Sequence, residues 1–567
     1  MKSNSMNNYK NTTSVFSTKI TLIFPPLWHY YFPPLSTPLL TALLRNKGFT
    51  VDQYDLNIEL LKEYDYSSLS LNEDIIDAYR SQNNNESSPD TLFSRYLERF
   101  IDRICETPPD IVGITFFRET VLSGLLLAQG IKERTPETFI IGGGQYFNIV
   151  RTDVQYILQQ IPWLDVVVTG EGDVVLPEIA EKYDRQPQNE SLDSFIATLK
   201  GTPNVYSATF APSHIDKDYL LKNLDPLPVP DFHGLPLDLY VTSVLPVSWS
   251  RGCPMSCTFC DYHYNTFGTR EAEHHLKFRM RSPDKCISDL THLISEYNMR
   301  GFFICDNLIN GNFTHLEQIC QNIIDEDLGI TWVALARIFP PTAHTKTLYD
   351  LMGEAGCRLL IYGIESACQR TLDRMNKKIK KEWIKKNLIW CKEAGINANS
   401  QWIIGFPKET YEDLRETIDF ILTNKEIVGD VSINPFSLET GSLISLVPDQ
   451  YDITVGDVQT FPSESRLKTG SLVFKNTGGI PRNHASSMKS WLGVYFYNTG
   501  VLSSASLYLH AMRDFIKDEM KEPLNLEKML EKKKDVLLMK ILKDSESVKS
   551  SFKAVFPEKD LQTLFQS

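Results

Sequence analysis

Ser250-Arg251-Gly252-Cys253-Pro254-Met255-Ser256-Cys257-Thr258-Phe259-Cys260-Asp261-Tyr262 is the stretch on which the reading of this chain turns. It places three cysteines within eight positions. Three thiolates so spaced can hold three irons of a cubic 4Fe–4S cluster, leaving the fourth iron open to a small molecule. An open coordination position marks a reactive metal centre rather than a structural one. Two other readings use the same residues. His263 could complete a Cys3His zinc site, although zinc ligands usually come as two separated pairs. A disulfide is the other, in a chain with no secretory signal. Isolated thiols such as Cys105, Cys320 and Cys391 read instead as core residues of a reduced, cytosolic protein.

Working outward, the cysteine stretch follows an apolar run, Val244 to Ser250, that reads as a strand. Five more such runs come after it: Gly301 to Asp306, Thr331 to Arg337, Arg358 to Glu365, Ala398 to Ile404 and Asp430 to Asn434. Helical patterns separate them, one opening at Arg281-Ser-Pro283 and running through Tyr297. Such βα units gather functional groups at the carboxyl ends of their strands. The cysteine loop, Asp306, Arg337, Glu365 and Gly405 all fall there.

Upstream lies a second alternating array. Lys19 to Phe24, Thr50 to Tyr54, Asp110 to Thr115, Phe139 to Ile141 and Val166 to Val168 read as strands buried on both faces. Helices are expected from Thr37 to Asn46, from Val121 to Arg134 and from Leu176, with a polar insert over Ser67 to Pro89. The pattern predicts a doubly wound parallel sheet. Its ligand loops would be Thr115, the triple glycine Gly142, Gly143 and Gly144, and Gly170-Glu171-Gly172, at the carboxyl ends of strands.

The chain has 567 residues and a formal net charge of -13. That charge argues against a general nucleic-acid binder, which needs basic surface to meet phosphates. No apolar run approaches the roughly 18 residues of a membrane span. The polar start lacks the apolar core of a signal peptide, so a cytoplasmic location is expected.

The CxxxCxxC loop, with Phe259 just before its last cysteine, resembles that of the radical SAM enzymes. The resemblance implies a partial (βα)6 TIM-like barrel over residues 241–440. It also implies S-adenosylmethionine bound to the open iron of a 4Fe–4S cluster held by Cys253, Cys257 and Cys260. Phe259, Asp306, Arg337, Glu365 and Gly405 would then contact SAM. Arg337 suits its carboxylate, and Glu365 its ribose or ammonium. Ile403-Ile-Gly405-Phe-Pro would pack on adenine, although Lys408 stands where many relatives have glycine. Tyr262 and His263 could approach SAM or substrate.

The order strand–Pro-Pro, Asp-Leu-Asn, Val-Gly-Ile-Thr, Ile-Gly-Gly-Gly, Val-Thr-Gly-Glu-Gly is similar to the cobalamin-binding domain that precedes many radical SAM cores. It covers residues 18–185. Thr115, Gly142, Gly143, Gly144, Gly170, Glu171 and Gly172 are the implied cobalamin contacts. The domain lacks Asp-x-His-x-x-Gly, and its only histidine near the ligand loops is His29, so no protein histidine is expected on cobalt.

Residues 1–17 are read as a disordered tail and 186–240 as a linker with some local structure, in which Pro226, Pro228, Pro230 and Pro236 argue against a long helix. Residues 441–567 are read as a mainly helical, substrate-enclosing region with helices over Leu502 to Ile516 and Leu526 to Leu542. The implied activity is C-methylation of an unactivated carbon in a small-molecule or peptide substrate. A low-potential donor such as flavodoxin or ferredoxin would serve as electron partner. Rearrangement, cyclisation or ring contraction without methyl transfer is the alternative. Methylthiolation and a non-catalytic sensor fit the motifs less well.

Overall fold

The computed structural model describes residues 16–501, apart from 65–67, 85, 88, 188–189, 213–219, 263–276, 457–470 and 500. His263, Ser67 and the expected helices beyond 501 lie outside the described residues.

The first sheet contains β1 (Lys19–Phe24), β2 (Thr50–Asp55), β3 (Ile111–Thr115), β4 (Phe139–Gly143), β5 (Val166–Val168) and β6 (Val205–Tyr206), in the order β2-β1-β3-β4-β5-β6. The first five are parallel and β6 runs antiparallel to β5. Strand order reverses between β1 and β3, the switch point at which such sheets bind ligands. Continuous apolar runs form these strands because helices cover both faces. Ile20, Leu22 and Ile111 pack on one side, Ile23, Val112 and Ile114 on the other.

Several expectations are corrected here. The polar insert contains a helix, Ser68–Asn83, which buries Leu71, Ile75, Ala78 and Tyr79 along one stripe. The helix expected from Leu176 starts earlier, at Gly172, and carries Pro177 in its interior. The local structure expected within 186–240 is a short helix, Leu192–Thr198, and the edge strand β6, whose two residues are too few to show a period. At the tail's end Phe16 stacks on Phe49 with centroids 4.2 Å apart, and the Ser17 N–H donates to Asp184 across 2.9 Å.

The second sheet is built from β7 (Val244–Val247), β10 (Gly301–Ile304), β11 (Thr331–Ala336), β12 (Cys357–Glu365), β13 (Asn397–Ile404) and β14 (Asp430–Pro435). They are all parallel and follow one another in sequence order, and β7 and β14 do not pair. This is a six-stranded βα array open at one side. Between β7 and β10 comes a two-stranded antiparallel ribbon, β8 (Ser250–Gly252) and β9 (Phe278–Met280). Most of the region after residue 440, including both expected helices, lies outside the described residues. Its described part has the helix Arg482–Asn498 and two short antiparallel pairs. These join β15 (Leu438–Glu439) to β17 (Ser471–Leu472), and β16 (Ile453–Val455) to β18 (Phe474–Asn476).

Alternation along the second sheet sorts its side chains. Leu245, Phe302, Ile304, Trp332, Ala334, Leu360 and Tyr362 pack on the helices. Val244, Phe303, Val333, Leu359 and Ile361 face the other way and share a core with Tyr30, Tyr31 and Phe32 of the first domain. Phe32 stacks on Phe303 with centroids 4.8 Å apart. Each such side chain contributes about 1.5–3 kcal/mol on burial. The strap after β1 thus fills the interior of the second array, and the carboxyl ends of both sheets share one region.

Candidate functional site

The cysteine loop leaves the β8–β9 ribbon at Cys253, whose N–H donates to Lys277 O across 2.8 Å. Its far side is pinned by the end of the helix Gln369–Arg374 and the turn after it. Thr258 N–H donates to Met375 O (2.9 Å), Thr258 Oγ1 to Arg374 O (3.2 Å) and Asn376 Nδ2 to Ser256 O (2.8 Å). All ten cysteines are free, so the disulfide reading fails. Burial pushes the Cys253 thiol up, and burial with the neighbouring Asp261 carries Cys260 up to about 12. Clustered thiols in that state fit a metal site, because a coordinating thiol is deprotonated by the ion itself. Phe259 packs edge-on against Phe406, with centroids 6.4 Å apart, in a cluster with Met375 and Phe436.

Around this loop the expected SAM contacts differ in their surroundings. Arg337 is 6% exposed, and no carboxylate among the described residues lies within 4.0 Å of its guanidinium. Asn310 fixes its backbone, accepting from Arg337 N (3.0 Å) and donating to Arg337 O (2.9 Å). The barrel ion pair that would have made Arg337 structural is absent among the described residues. A buried cation without a counter-ion is costly, so the site fits an anionic ligand group.

Glu365 ends β12 at a bulge, with φ 71, and its Oε1 accepts from Lys377 Nζ across 2.8 Å. Lys377 is 7% exposed and stands 5.6 Å over the Phe259 ring. Burial opposes its charge, yet Glu365 and Cys257 hold its pKa above the usual lysine value. The sequence reading missed Lys377, because Asn376-Lys377-Lys378 looks like a solvated charge run.

Asp306 falls at the expected strand end but is occupied otherwise. It accepts from Trp249 N (2.8 Å), Ser250 Oγ (2.6 Å) and Ser248 Oγ (3.3 Å), so it shapes the turn into the ribbon. Burial pushes its carboxyl up to about 6. The Gly405 N–H donates to Glu409 Oε2 across 2.6 Å, while Oε1 of this buried carboxyl has no partner. Lys408 adopts φ 64, the left-handed conformation that explains why glycine suits this position.

On the first sheet, Thr115, Gly142, Gly143, Gly144, Gly170, Glu171 and Gly172 all line one cleft of about 260 Å3. Its glycines serve different ends. At Gly144 the chain turns with φ 103, and a Cβ would lie 2.6 Å from Phe116 O. At Gly143 and Gly172 a Cβ would meet nothing nearer than 3.7 Å, so glycine there keeps the cleft empty. Asn148, unmarked in the sequence, pins the far loop by accepting from Gly170 N across 2.6 Å. No described histidine lines the cleft. His29 lies instead against Phe32, centroids 4.4 Å apart, and burial lowers its pKa to about 3.

Cleft and cysteine loop are joined through side chains. Glu171 lines the cleft, but its carboxylate pairs with Arg279 (2.9 and 2.6 Å) and Arg251 (3.2 Å). Asp173 takes Arg251 in a two-point pair (2.6 and 3.0 Å). Arg251 itself lines the cleft. A second bridge runs from Arg118, after β3, to both oxygens of Glu439, one at 3.1 Å.

The comparisons with known proteins agree with this architecture. Residues 247–421 match the family model of the radical SAM superfamily. The chain is 29% identical over 315 residues to an uncharacterized methyltransferase of Pyrococcus horikoshii, covering 55% of this chain and 64% of that protein. It is 26% identical over 318 residues to an anaerobic magnesium-protoporphyrin IX monomethyl ester cyclase of Rubrivivax gelatinosus, covering 56% and 54%. The chain therefore spans little more than half the length of these curated relatives. Among solved structures it resembles the cobalamin-dependent SAM radical enzyme OxsB with aqua-cobalamin and SAM bound. The TM-score is 0.62 at 14% identity, over 97% of this chain and 79% of that one. The methyltransferase TsrM from Kitasatospora setae, with cobalamin and a [4Fe–4S] cluster bound, gives 0.55 at 14% identity over 78% of each. No described helix is long and apolar enough to cross a membrane.

Proposed function

With a radical SAM domain over residues 247–421 as premise, we propose that this chain is a cobalamin-dependent radical SAM enzyme that methylates an unactivated carbon of a small-molecule or peptide substrate. The observation that carries the reading is the shared wall: Arg251, two residues before Cys253, also lines the glycine cleft. When bound, the cluster and SAM supply a hydrogen-abstracting radical, and cobalamin supplies a methyl group.

The chain's own residues bind and orient. Cys253, Cys257 and Cys260 would hold three irons. Arg337, with no carboxylate partner among the described residues, would take the SAM carboxylate through its guanidinium fork. Glu365, oriented by Lys377, would accept from the SAM ribose or ammonium. Phe259 and Phe406 would exclude water beside the cluster, and glycine at 405 lets the strand end pack against Ala485, which a Cβ there would approach to 2.7 Å. Thr115 and the loops at Gly142–Gly144 and Gly170–Gly172 would cradle the corrinoid. Asp306 acts one step back, holding the turn at Ser248–Ser250. A substrate between the two sheet ends would lie within reach of both cofactors in turn.

Cyclisation without methyl transfer is a second reading, favoured by the cyclase relative that matches a span similar to that of the methyltransferase. Anaerobically reconstituted protein, given SAM, hydroxocobalamin, a reduced flavodoxin or ferredoxin and candidate substrates, separates the two. Methylation predicts S-adenosylhomocysteine and 5′-deoxyadenosine in comparable amounts, with labelled SAM methyl in the product. Product with 5′-deoxyadenosine but no labelled methyl would sink methylation and leave cyclisation or rearrangement.

A further inference from the structure

The ion pairs between the cysteine ribbon and the cleft have a geometry that goes beyond holding two domains together. In the ribbon Arg251 is the register partner of Arg279, and Gly252 pairs with Phe278. A Cβ on Gly252 would lie 2.0 Å from Lys277 O, so the strands approach too closely for any side chain there. Cys253 comes next and is hydrogen-bonded back to Lys277. The first cysteine has little freedom independent of the two arginines. On the facing side, Glu171 and Asp173 flank Gly172 in the lip of the cleft.

The four side chains carry two positive and two negative charges. The Arg279 side chain is fully buried and that of Asp173 is 6% exposed. Buried ion pairs add little net stability over apolar groups of the same volume. What two-point guanidinium–carboxylate pairs do supply is a fixed relative geometry.

We propose that Arg251 and Arg279 are positioning residues that couple the occupancy of the glycine cleft to the conformation of the cysteine loop, so that a corrinoid and the iron–sulfur cluster reinforce one another's binding. The proposal rests on the reading that the cleft takes cobalamin. A corrinoid on the cleft fixes the Gly170–Asp173 loop, the loop fixes the two arginines, and the ribbon carries that order to Cys253. Coupling of this kind is reciprocal: the assembled cluster must tighten corrinoid binding by the same factor.

Equilibrium dialysis of hydroxocobalamin against the full chain, iron-free and after cluster reconstitution, measures that factor. The wild-type chain is expected to bind about tenfold tighter with the cluster assembled, within the usual range of such couplings. The variant Arg279→Met removes the fork to Glu171, whose carboxylate keeps Arg251 at 3.2 Å, and leaves Arg251 with Asp173. It should keep its iron and corrinoid binding but lose the difference, to within about twofold. Arg279→Lys keeps the charge without the fork, and its ratio should fall below that of the wild type. Equal wild-type affinities with and without the cluster, or an undiminished ratio in both variants, would overturn the coupling alone. A wild-type chain that binds no corrinoid in either state would overturn the cobalamin reading, and the coupling with it.

Discussion

The ammonium of Lys377 donates to Oε1 of Glu365 across 2.8 Å, and neither side chain is more than 12% exposed. Removing one partner of a buried pair strands the other charge, at a cost of about 3–5 kcal/mol, whereas removing both can be nearly neutral. Lys377→Met is therefore expected to lower stability by about 3 kcal/mol, and Lys377→Met/Glu365→Gln to recover most of that. Denaturant midpoints of the wild type, both singles and the double check this. A double variant no more stable than Lys377→Met would show that the two ions do not depend on each other.

Iron content tests the cysteine loop. Anaerobic reconstitution should give about four irons per chain, as one cluster requires. Replacing Cys253, Cys257 and Cys260 by Ala should abolish the cluster and all SAM cleavage. Cys320→Ala, in the helix layer at 0% exposure, should leave iron unchanged. Full iron in the triple variant would refute the assignment.

Lys408 holds a left-handed conformation, φ 64, on the rim of the Gly405 loop. A residue with a Cβ spends about 1–2 kcal/mol there that glycine does not. Its ion pair to Asp452, 3.4 Å and half exposed, offsets little of that. Lys408→Gly should thus raise stability by up to about 1 kcal/mol once the greater freedom of the unfolded chain is subtracted. Lys408→Val should lower it. Thermal midpoints in that reversed order would contradict the assigned backbone.

Glu409 gives a pH dependence with a defined sign. Burial pushes its carboxyl from 4.5 up to about 8. The folded chain therefore holds a proton that the unfolded chain releases above pH 4.5. The corresponding stability is complete below about pH 4.5 and is lost as pH rises through about 8. Glu409→Gln cannot titrate and keeps an acceptor for the Gly405 N–H. Its thermal midpoint relative to the wild type should climb between pH 5 and about 8 and level off above that. A constant offset over that range would show that the carboxyl is not neutral in the folded protein.

Strand positions were legible because both sheets are covered on both faces. Runs such as Ile111–Thr115 and Val166–Val168 have no solvent side and so read as unbroken apolar segments. The ribbon β8–β9 escaped notice because its strands are three residues long and 25 residues separate them. The helix at Ser68–Asn83 was hidden by its polar majority, although Leu71, Ile75 and Tyr79 already mark a helical stripe. Site positions were easier to read than site partners. Asp306 stands at the end of its strand as expected, yet its carboxylate faces Ser248–Ser250. Lys377 carried no signal at all, since the turn that buries it depends on left-handed Asn376 and Lys378.

The aromatic strap Tyr30-Tyr31-Phe32 has a consequence for how this architecture can be recombined. Because Phe303, Val333, Leu359 and Ile361 belong to the cluster that holds that strap, with Phe303 stacked on Phe32, one face of the second array is covered by the first domain. An excised fragment starting near residue 241 would present those side chains to water. Exchanging one half of this protein for that of a distant relative would leave a mismatched seam unless the strap travelled with the array it fills. The chain is two sheets by topology but one unit in its packing.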